Sequence, residues 1–320
     1  MLLLYENAMT GKLPSELGRQ LKLQVLELYS NDLSGSIPSE YSQLASLEYV
    51  LVSSNRFSGS LSASFEQWAG LKQVNLSYNY FSGDVSFFSA PLPSLLAFDV
   101  SANWLSGSFS AGVLGSPLLT FLNISLNHFD GALGSFAAGH SLQVVDASRN
   151  LLSGPVPWSL FLVGNLTTAL LYFNCFTGSL PASMCSASGL EVLVLDDLSS
   201  SASCLLKLPS FLKVTIPVNP IQGGIPECVW QLPSLRVFHA SGNGLQGGLG
   251  ELNATHSSLA DVSVSNNRLG GELPLSWQRS GRFTRLDVSS NRLAGVLSPD
   301  FNFSGSSSSQ RLDGPPRIPG

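Results

Sequence analysis

Side chains able to do acid–base or nucleophilic chemistry are few in this sequence and lie far apart. Asp196 and Asp197 are adjacent, so on a strand they point in different directions and do not pair as acid and base. Serines recur two positions before many asparagines, but no base accompanies them. The histidines are equally scattered: His128, His140, His239 and His256. We therefore predict that the protein is not an enzyme and uses no cofactor or metal.

The cysteines are the remaining reactive side chains, and all fall in one part of the chain: Cys175, Cys185, Cys204 and Cys228. Their spacing matches no zinc motif, and no histidine lies among them. An even, clustered set favours disulfides in a secreted protein, whereas in an intracellular protein the same residues would be buried free thiols. Four cysteines allow three full pairings, and we favour the one with a Cys185–Cys204 bond, because that bond would staple an irregular segment described below.

The elements that position these side chains come from an internal repeat of 24 residues. Successive units place an asparagine at one phase: Asn7, Asn31, Asn55, Asn79, Asn103, Asn127, Asn150, Asn174, Asn219, Asn243, Asn267 and Asn291. A glycine follows four residues later, as at Gly131 and Gly271. Self-similarity at this period is typical of a solenoid.

The residue types of one unit have physical reasons. Leu259, Val262 and Val264 alternate like the inward face of a short strand, while the residues between them face outward. Asparagine carries both a donor and an acceptor, so a buried column of these side chains can satisfy the backbone where the chain turns away from the strand. We therefore predict that the twelve repeat asparagines form a structural ladder.

The motif x-L-x-x-L-x-L-x-x-N-x-L-x-G-x-I-P resembles the plant-type leucine-rich repeat, with the Ile-Pro pair kept at Ile37-Pro38 and Ile225-Pro226. The resemblance covers roughly residues 1–300. It implies a β-dominated α/β-type solenoid, a right-handed superhelix with a parallel concave sheet and 3₁₀ or extended convex segments. It also implies a relationship to the ectodomains of receptor-like kinases and receptor-like proteins.

We predict one leucine-rich-repeat domain at 1–300 with about thirteen repeats, followed by a disordered Ser-, Gly- and Pro-rich tail at 301–320. The repeat around 190–210 is irregular, because Leu198 stands where the asparagine belongs. The start at Met1 falls inside a repeat, and cysteine caps are absent at both ends, so we expect the chain to be a fragment of a longer protein.

Composition excludes some partners. The net charge is −5 and only 12% of residues are charged, so a basic nucleic-acid footprint is absent. No apolar run approaches the roughly 18 residues that a membrane span requires. We expect a protein or peptide ligand, with a co-receptor as a further partner implied by the resemblance, and no nucleic acid.

The predicted binding surface lies on the strand face of three central units, where outward positions become apolar and aromatic together, unlike the polar faces of the other units. Its residues are Leu170, Tyr172, Phe173, Val194, Asp196, Asp197, Lys213 and Thr215. Exposed apolar patches with polar rims tend to mark interaction sites. The alternative is that Leu170 and Phe173 pack against a displaced loop of the irregular unit.

Five Asn-x-Ser/Thr triplets are candidate glycosylation sites: Asn75, Asn123, Asn165, Asn253 and Asn302. Together with the resemblance they indicate an extracellular or cell-surface glycoprotein, associated with the membrane through parts outside this chain. We expect a recognition module like the ligand-binding ectodomain of a receptor-like protein. The alternative is a secreted structural or enzyme-inhibitor protein with no signalling role.

Overall fold

The computed structural model describes residues 1–61, 66–85, 88–137, 139–198, 204, 221–253 and 258–302. Lys213, Thr215, Asn219, His256 and the predicted tail from 303 onward lie outside these residues. Strands and helices are numbered here in chain order.

A long sheet runs the length of the described chain. Within the described residues it has twelve strands, every neighbouring pair parallel: β1 (Leu2–Leu3), β3 (Val25–Glu27), β5 (Tyr49–Leu51), β7 (Gln73–Asn75), β9 (Ala97–Asp99), β11 (Phe121–Asn123), β13 (Val144–Asp146), β15 (Thr168–Leu170), β17 (Val192–Val194), β19 (Val237–His239), β20 (Asp261–Ser263) and β22 (Arg285–Asp287).

A second row of strands follows the turn that leaves the long sheet. The described part holds a nine-stranded parallel sheet of β2 (Thr10–Lys12), β4 (Asp32–Gly35), β6 (Arg56–Ser60), β8 (Tyr80–Gly83), β10 (Trp104–Ser108), β12 (His128–Ala132), β14 (Leu151–Pro155), β16 (Cys175–Ser179) and β18 (Ile221–Gln222). A further pair joins β21 (Gly270–Glu272) to β23 (Arg292–Ala294).

Short helical segments carry the chain back to the next strand of the long sheet. Five are 3₁₀ helices: η1 (Ser15–Arg19), η2 (Ser39–Gln43), η3 (Trp158–Leu162), η4 (Ala182–Ser186) and η5 (Glu227–Gln231). Two are single α-helical turns: α1 (Ala111–Leu114) and α2 (Leu275–Gln278). The leucine-rich-repeat solenoid predicted from the motif, with its parallel sheet and 3₁₀ return segments, is therefore confirmed.

The core lies between the two rows of strands and the return segments. The middle residue of each three-residue strand of the long sheet points into this core, and Leu122 and Val262 are fully buried. Leu122 is in register with Phe98 on one side and Val145 on the other. Each coil therefore buries its apolar residues against its neighbours, as expected for a solenoid.

The asparagine column forms a hydrogen-bonded ladder. The Asn127 side-chain nitrogen donates to the carbonyls of Val100, Ile124 and Ser125, at 2.8, 3.3 and 3.1 Å. Its side-chain oxygen accepts from the N–H of Leu105, two residues past the asparagine of the preceding coil, at 3.0 Å. The same bonds recur at Asn55, Asn79, Asn103, Asn150, Asn174 and Asn267.

The strands on either side of the irregular unit are closer together than the repeat count implies. Strand β17 pairs directly with β19, with Val192 opposite Val237, so these two strands are neighbours in the long sheet. β17 and β19 therefore belong to consecutive coils, and the described residues form twelve coils, where about thirteen repeats were predicted. We number them one to twelve, and Leu198 takes the asparagine position of the ninth.

Two disulfides lie at this ninth coil, and the Cys185–Cys204 bond favoured from the sequence is wrong. Cys175 at the start of β16 bonds to Cys204, and Cys185 in η4 bonds to Cys228 in η5. Cys185 and Cys228 belong to consecutive return segments once the ninth coil is counted as one unit, which explains why they meet.

Candidate functional site

The outward face of the long sheet changes character around the ninth coil. Parallel register aligns Leu170, Val194, His239, Ser263 and Asp287 in one row across five neighbouring strands. Because each is the last residue of its strand and flanks a buried one, the row faces outward. It passes from apolar side chains at Leu170 and Val194 to polar ones beyond them.

An aromatic pair stands beside the apolar end of this row. The rings of Tyr172 and Phe173 lie 5.5 Å apart in an edge-to-face arrangement. The Arg149 guanidinium of the preceding coil lies 5.0 Å from the Phe173 ring centre and 5.8 Å from that of Tyr172. Phe173 has a left-handed backbone with φ of 52°, as have most residues at this position of the repeat. The repeated turn therefore fixes where its exposed side chain projects.

These residues form one wall of an open depression of about 380 Å³. Its lining spans the eighth to twelfth coils and comprises Tyr172, Phe173, Val194, Asp196, Asp197, Ser241, Ser263, Ser265, Arg285 and Asp287. The surface thus combines an aromatic side with a polar side of carboxylates and hydroxyls. Such a combination of apolar area and a few directional polar groups suits ligand recognition.

Asp196 is the most constrained acidic group of the depression. Burial raises the pKa of its carboxyl, and the neighbouring charge of Asp197 adds to this rise. A hydrogen bond from the Ser241 N–H to Oδ1, at 2.6 Å, and the His239 ring, with Nδ1 3.8 Å from Oδ2, act in the opposite direction. Nε2 of the same His239 lies 2.8 Å from Oδ1 of Asp261. The imidazole is thus held between two carboxylates.

The pKa of the Asp287 carboxyl, unlike that of Asp196, is lowered. The hydrogen bond from the Ser289 hydroxyl, at 2.7 Å, is the largest cause that lowers the pKa of Asp287, although partial burial opposes it. The Ser289 N–H, Ser265 and Arg285 also stabilise the carboxylate. Arg285 is the one Lys or Arg among the lining residues, against three aspartates, so the polar side is acidic.

The structure brings together six of the eight residues predicted for the binding surface. Tyr172, Phe173, Val194, Asp196 and Asp197 line the depression, and Leu170 pairs with Val194 at its edge. Lys213 and Thr215 lie outside the described residues.

The other lining residues were missed: Ser241, Ser263, Ser265, Arg285 and Asp287. They fall at the outward strand columns of the last three coils, so the same column analysis would have found them. What it lacked was the direct contact between the ninth and tenth coils.

The prediction that apolar and aromatic outward positions occur in only one stretch is wrong. In the first three coils the outward positions hold Leu3, Tyr5, Tyr29, Tyr49 and Leu51. The rings of Tyr5 and Tyr29 stack at 4.6 Å with an interplanar angle of 5°. The same columns of the sequence already hold these apolar and aromatic residues, in the second and third units as well as in the first.

The candidate glycosylation sites differ in accessibility. Asn165 and Asn302 are exposed and Asn253 is half-buried. Asn75 and Asn123 end strands of the long sheet, where each side-chain oxygen accepts bonds from the N–H and hydroxyl of a following serine, Ser77 or Ser125. Glycans at these sites remain a prediction.

His140 is buried, and this burial lowers the pKa of its imidazole. Its Nδ1 accepts a hydrogen bond from the Leu142 N–H, and its Nε2 lies 3.0 Å from the Leu114 carbonyl oxygen. Because both ring nitrogens have main-chain partners, the role of His140 is structural. In the part of the chain that the structure describes, no group of three or more His, Cys, Asp or Glu side chains could hold a metal ion. No described helix is long and apolar enough to cross a membrane.

Several plant receptors of known structure have a fold similar to that of this chain. The Leucine Rich Repeat family model matches residues 22–44. The plant peptide hormone receptor RGFR1, solved in complex with RGF2, shares 28% identity with a TM-score of 0.75, over 91% of this chain and 43% of that one. The Arabidopsis receptor kinase HAESA, solved with the peptide hormone IDA and the co-receptor SERK1, shares 26% with a TM-score of 0.75, over 91% and 50%. A search of curated protein sequences found no significant match.

The chain thus resembles the leucine-rich-repeat ectodomains of plant receptor kinases, as its motif indicated, and it spans at most half the length of these two receptors. A plant ice-binding protein has the same fold at 21% identity, with a TM-score of 0.58 over 96% of this chain and 84% of that one. Fold alone therefore does not decide function.

Proposed function

We propose that this chain is an extracellular recognition module that binds a peptide or an extended protein segment in the depression beside Tyr172 and Asp196. The observation that carries the proposal is that an exposed aromatic pair and a partly buried carboxylate meet at one open depression on the long sheet. The resemblance to RGFR1 and HAESA, both solved with peptide hormones, supports the peptide as ligand class.

The two sides of the depression suit different parts of such a ligand. Tyr172, Phe173 and Val194 offer apolar area for a ligand side chain, and aromatic residues dominate the binding energy of many interfaces. Asp196 and the hydroxyl of half-buried Ser241 offer acceptors for peptide N–H groups. Because the polar side is acidic, we expect the ligand to carry no carboxylate at this point.

An extracellular location agrees with the cysteines. The disulfides Cys175–Cys204 and Cys185–Cys228 would persist in an oxidising compartment and would be reduced in the cytosol. A binding role without catalysis is part of the same proposal, and buried His140 bonds to main-chain groups. A co-receptor remains part of the proposal through the likeness to HAESA.

The test is selection of peptides by the full chain. A phage-displayed library of random linear peptides is panned on the secreted protein, and the enriched peptides are synthesised and titrated against variants. Tyr172→Ala and Asp196→Ala should each weaken binding about tenfold. Ser53→Ala is the control and should leave the affinity unchanged. Ser53 belongs to the column of serines two positions before the repeat asparagines, but it lies far from the depression. Selected peptides that bind all three variants equally would contradict the site, and failure to enrich any peptide would contradict the ligand class.

A further inference from the structure

A second exposed surface lies on the turn between the long sheet and the second sheet, away from the depression. It is formed by Tyr78, Tyr80, Trp104, Leu126 and His128 of the fourth to sixth coils, and we call it the aromatic strip. Tyr78 is 63% exposed and Trp104 59% exposed, which is unusual for side chains of this size. The rings of Tyr80 and Trp104 lie 5.3 Å apart on adjacent coils.

The repeat holds these side chains in a fixed row. Tyr80, Trp104 and His128 are the first residues of β8, β10 and β12, which are parallel neighbours. Tyr78 and Leu126 occupy the left-handed position one residue before the ladder asparagine, with φ of 53° and 54°. Because buried Asn79 and Asn127 anchor the turns beside them, the exposed rings need little reordering when a ligand binds.

The strip presents apolar faces flanked by hydrogen-bonding side chains, which are serines in most coils and Asp130 in the sixth. In the register of the second sheet, Ser58 lies opposite Tyr80, Ser82 opposite Trp104 and Ser106 opposite His128. The strip itself contains no Asp, Glu, Lys or Arg. The nearest charged residues at the same positions of the repeat are Arg56, one coil before it, and Arg149, one coil after it.

We propose that the aromatic strip binds a neutral oligosaccharide. A pyranose ring presents a face of C–H bonds, which favours the electron-rich face of an aromatic ring, and an edge of hydroxyls, which can bond to serine, tyrosine and histidine. Three coils extend over about 10 Å, roughly the length of two linked pyranose rings. The strip carries no formal charge of its own, and the Asp130 carboxylate beside His128 accepts bonds from hydroxyls and opposes an acidic ligand, so the strip matches a neutral sugar chain lying across the coils.

A protein partner fits the strip less well. A stable protein interface buries about 800 Å² on each partner and draws on 20 to 30 residues, whereas this row is a few side chains wide between two arginines. A second copy of the chain or another protein is therefore an outcome that the experiment must separate from a sugar.

Calorimetric titration of the full chain tests the proposal with three hexasaccharides: cellohexaose and laminarihexaose, which are neutral, and hexagalacturonate, which is acidic. At least one neutral sugar should bind, and more tightly than the acidic one. Trp104→Ala should weaken that binding about tenfold or more. Trp158→Ala is the matched control, because Trp158 in η3 is equally exposed, at 62%, but lies outside the strip.

The proposal would be overturned if the wild-type chain bound neither neutral hexasaccharide. It would also be overturned if the Trp104→Ala and Trp158→Ala variants had equal affinity for the sugar while their thermal stability was unchanged. Sedimentation velocity measures whether copies of the chain associate with one another. Self-association that Trp104→Ala abolishes, without sugar binding, would assign the strip to contacts between copies of the chain. The peptide site does not enter this test, so either proposal can fail alone.

Discussion

The backbone carbonyl of Leu198 accepts a hydrogen bond from the N–H of Phe176 at 2.8 Å, the bond that an asparagine side chain accepts in the preceding coils. The N–H of Leu198 in turn donates to the Asn243 side-chain oxygen at 2.9 Å. The ladder therefore passes through the ninth coil by way of main-chain groups. The leucine side chain is fully buried, so it contributes to the core instead.

Leu198→Asn should accordingly destabilise the protein, although it restores the repeat motif. The ladder bond at this position is already made by the main chain, so the new amide would be buried among apolar neighbours. We expect a loss of about 2 kcal/mol or more in the free energy of unfolding, measured by chemical denaturation. Leu126→Asn is the control, since Leu126 is exposed and its left-handed backbone tolerates asparagine. A stabilised Leu198→Asn variant would show that the main chain does not replace the amide.

Asn127→Ala tests a regular step of the ladder. The substitution removes the acceptor of the buried Leu105 N–H and the donor to the Val100 carbonyl. We expect it to cost about 2–4 kcal/mol, because buried polar groups are left without partners. Asn123→Ala in the same coil should cost less than about 1 kcal/mol, because Asn123 is half-buried on the sheet face and bonds locally to Ser125. Equal losses would refute a special role for the ladder position.

Gly154→Ala tests the glycine column. Gly154 has φ of 76°, and a Cβ placed there would meet nothing nearer than the Ala132 Cβ at 3.8 Å. The Gly154→Ala variant should therefore lose about 1–2 kcal/mol in the free energy of unfolding, from backbone strain alone. Gly164→Ala, in open space and outside the left-handed region, should be neutral or slightly stabilising. The thermal unfolding midpoints of the two variants give the comparison, and a Gly154 variant as stable as the Gly164 variant would contradict it.

Asp196 and Asp287 should give opposite pH effects. The folded-state pKa of Asp196 is raised, so its contribution to stability is highest below the ordinary carboxyl pKa and falls as pH rises through the folded value. Asp196→Asn should therefore raise the unfolding midpoint at pH 7, with a smaller gain in acid. The folded-state pKa of Asp287 is lowered, so its stabilisation is present above the ordinary pKa and is lost as pH falls through the folded one. Asp287→Asn should lower the midpoint at pH 7, and a shift of the same sign in both variants would be inconsistent with these environments.

The sequence predicted the inward columns, the ladder and the return segments because each depends on the spacing within one repeat. It did not predict how the ninth coil is assembled. Strand β17 and Leu198 are the first half of a repeat, while Ile221, Gly223 and η5 are the second half of the same repeat, found far along the chain. Since Asn219 precedes that second half at the usual distance, the motif alone suggested a whole extra unit.

The same assembly explains what was missed at the site. Which coils stack directly decides which outward residues meet, so Ser241 could not be placed beside Asp196 while an extra strand was assumed between them. The aromatic character of Tyr172 and Phe173 needed only their position in the repeat, and it was predicted. Residues of the turn, such as Trp104, lie outside the strand columns on which the predicted binding surface was based.

The disulfide pattern is the most direct test of this assembly. If one coil joins β17 to β19, η4 and η5 are consecutive return segments, and Cys185 faces Cys228 while Cys175 pairs with Cys204. Digestion with pepsin at acid pH, where thiolate exchange is slow, should yield peptides linking these two pairs in mass spectra recorded without reduction. Replacing both Cys185 and Cys228 by serine should cost about 2–5 kcal/mol. A peptide linking Cys185 to Cys204 would contradict this assembly and favour an extra unit between η4 and η5. Four free thiols would remove the main argument for an extracellular location.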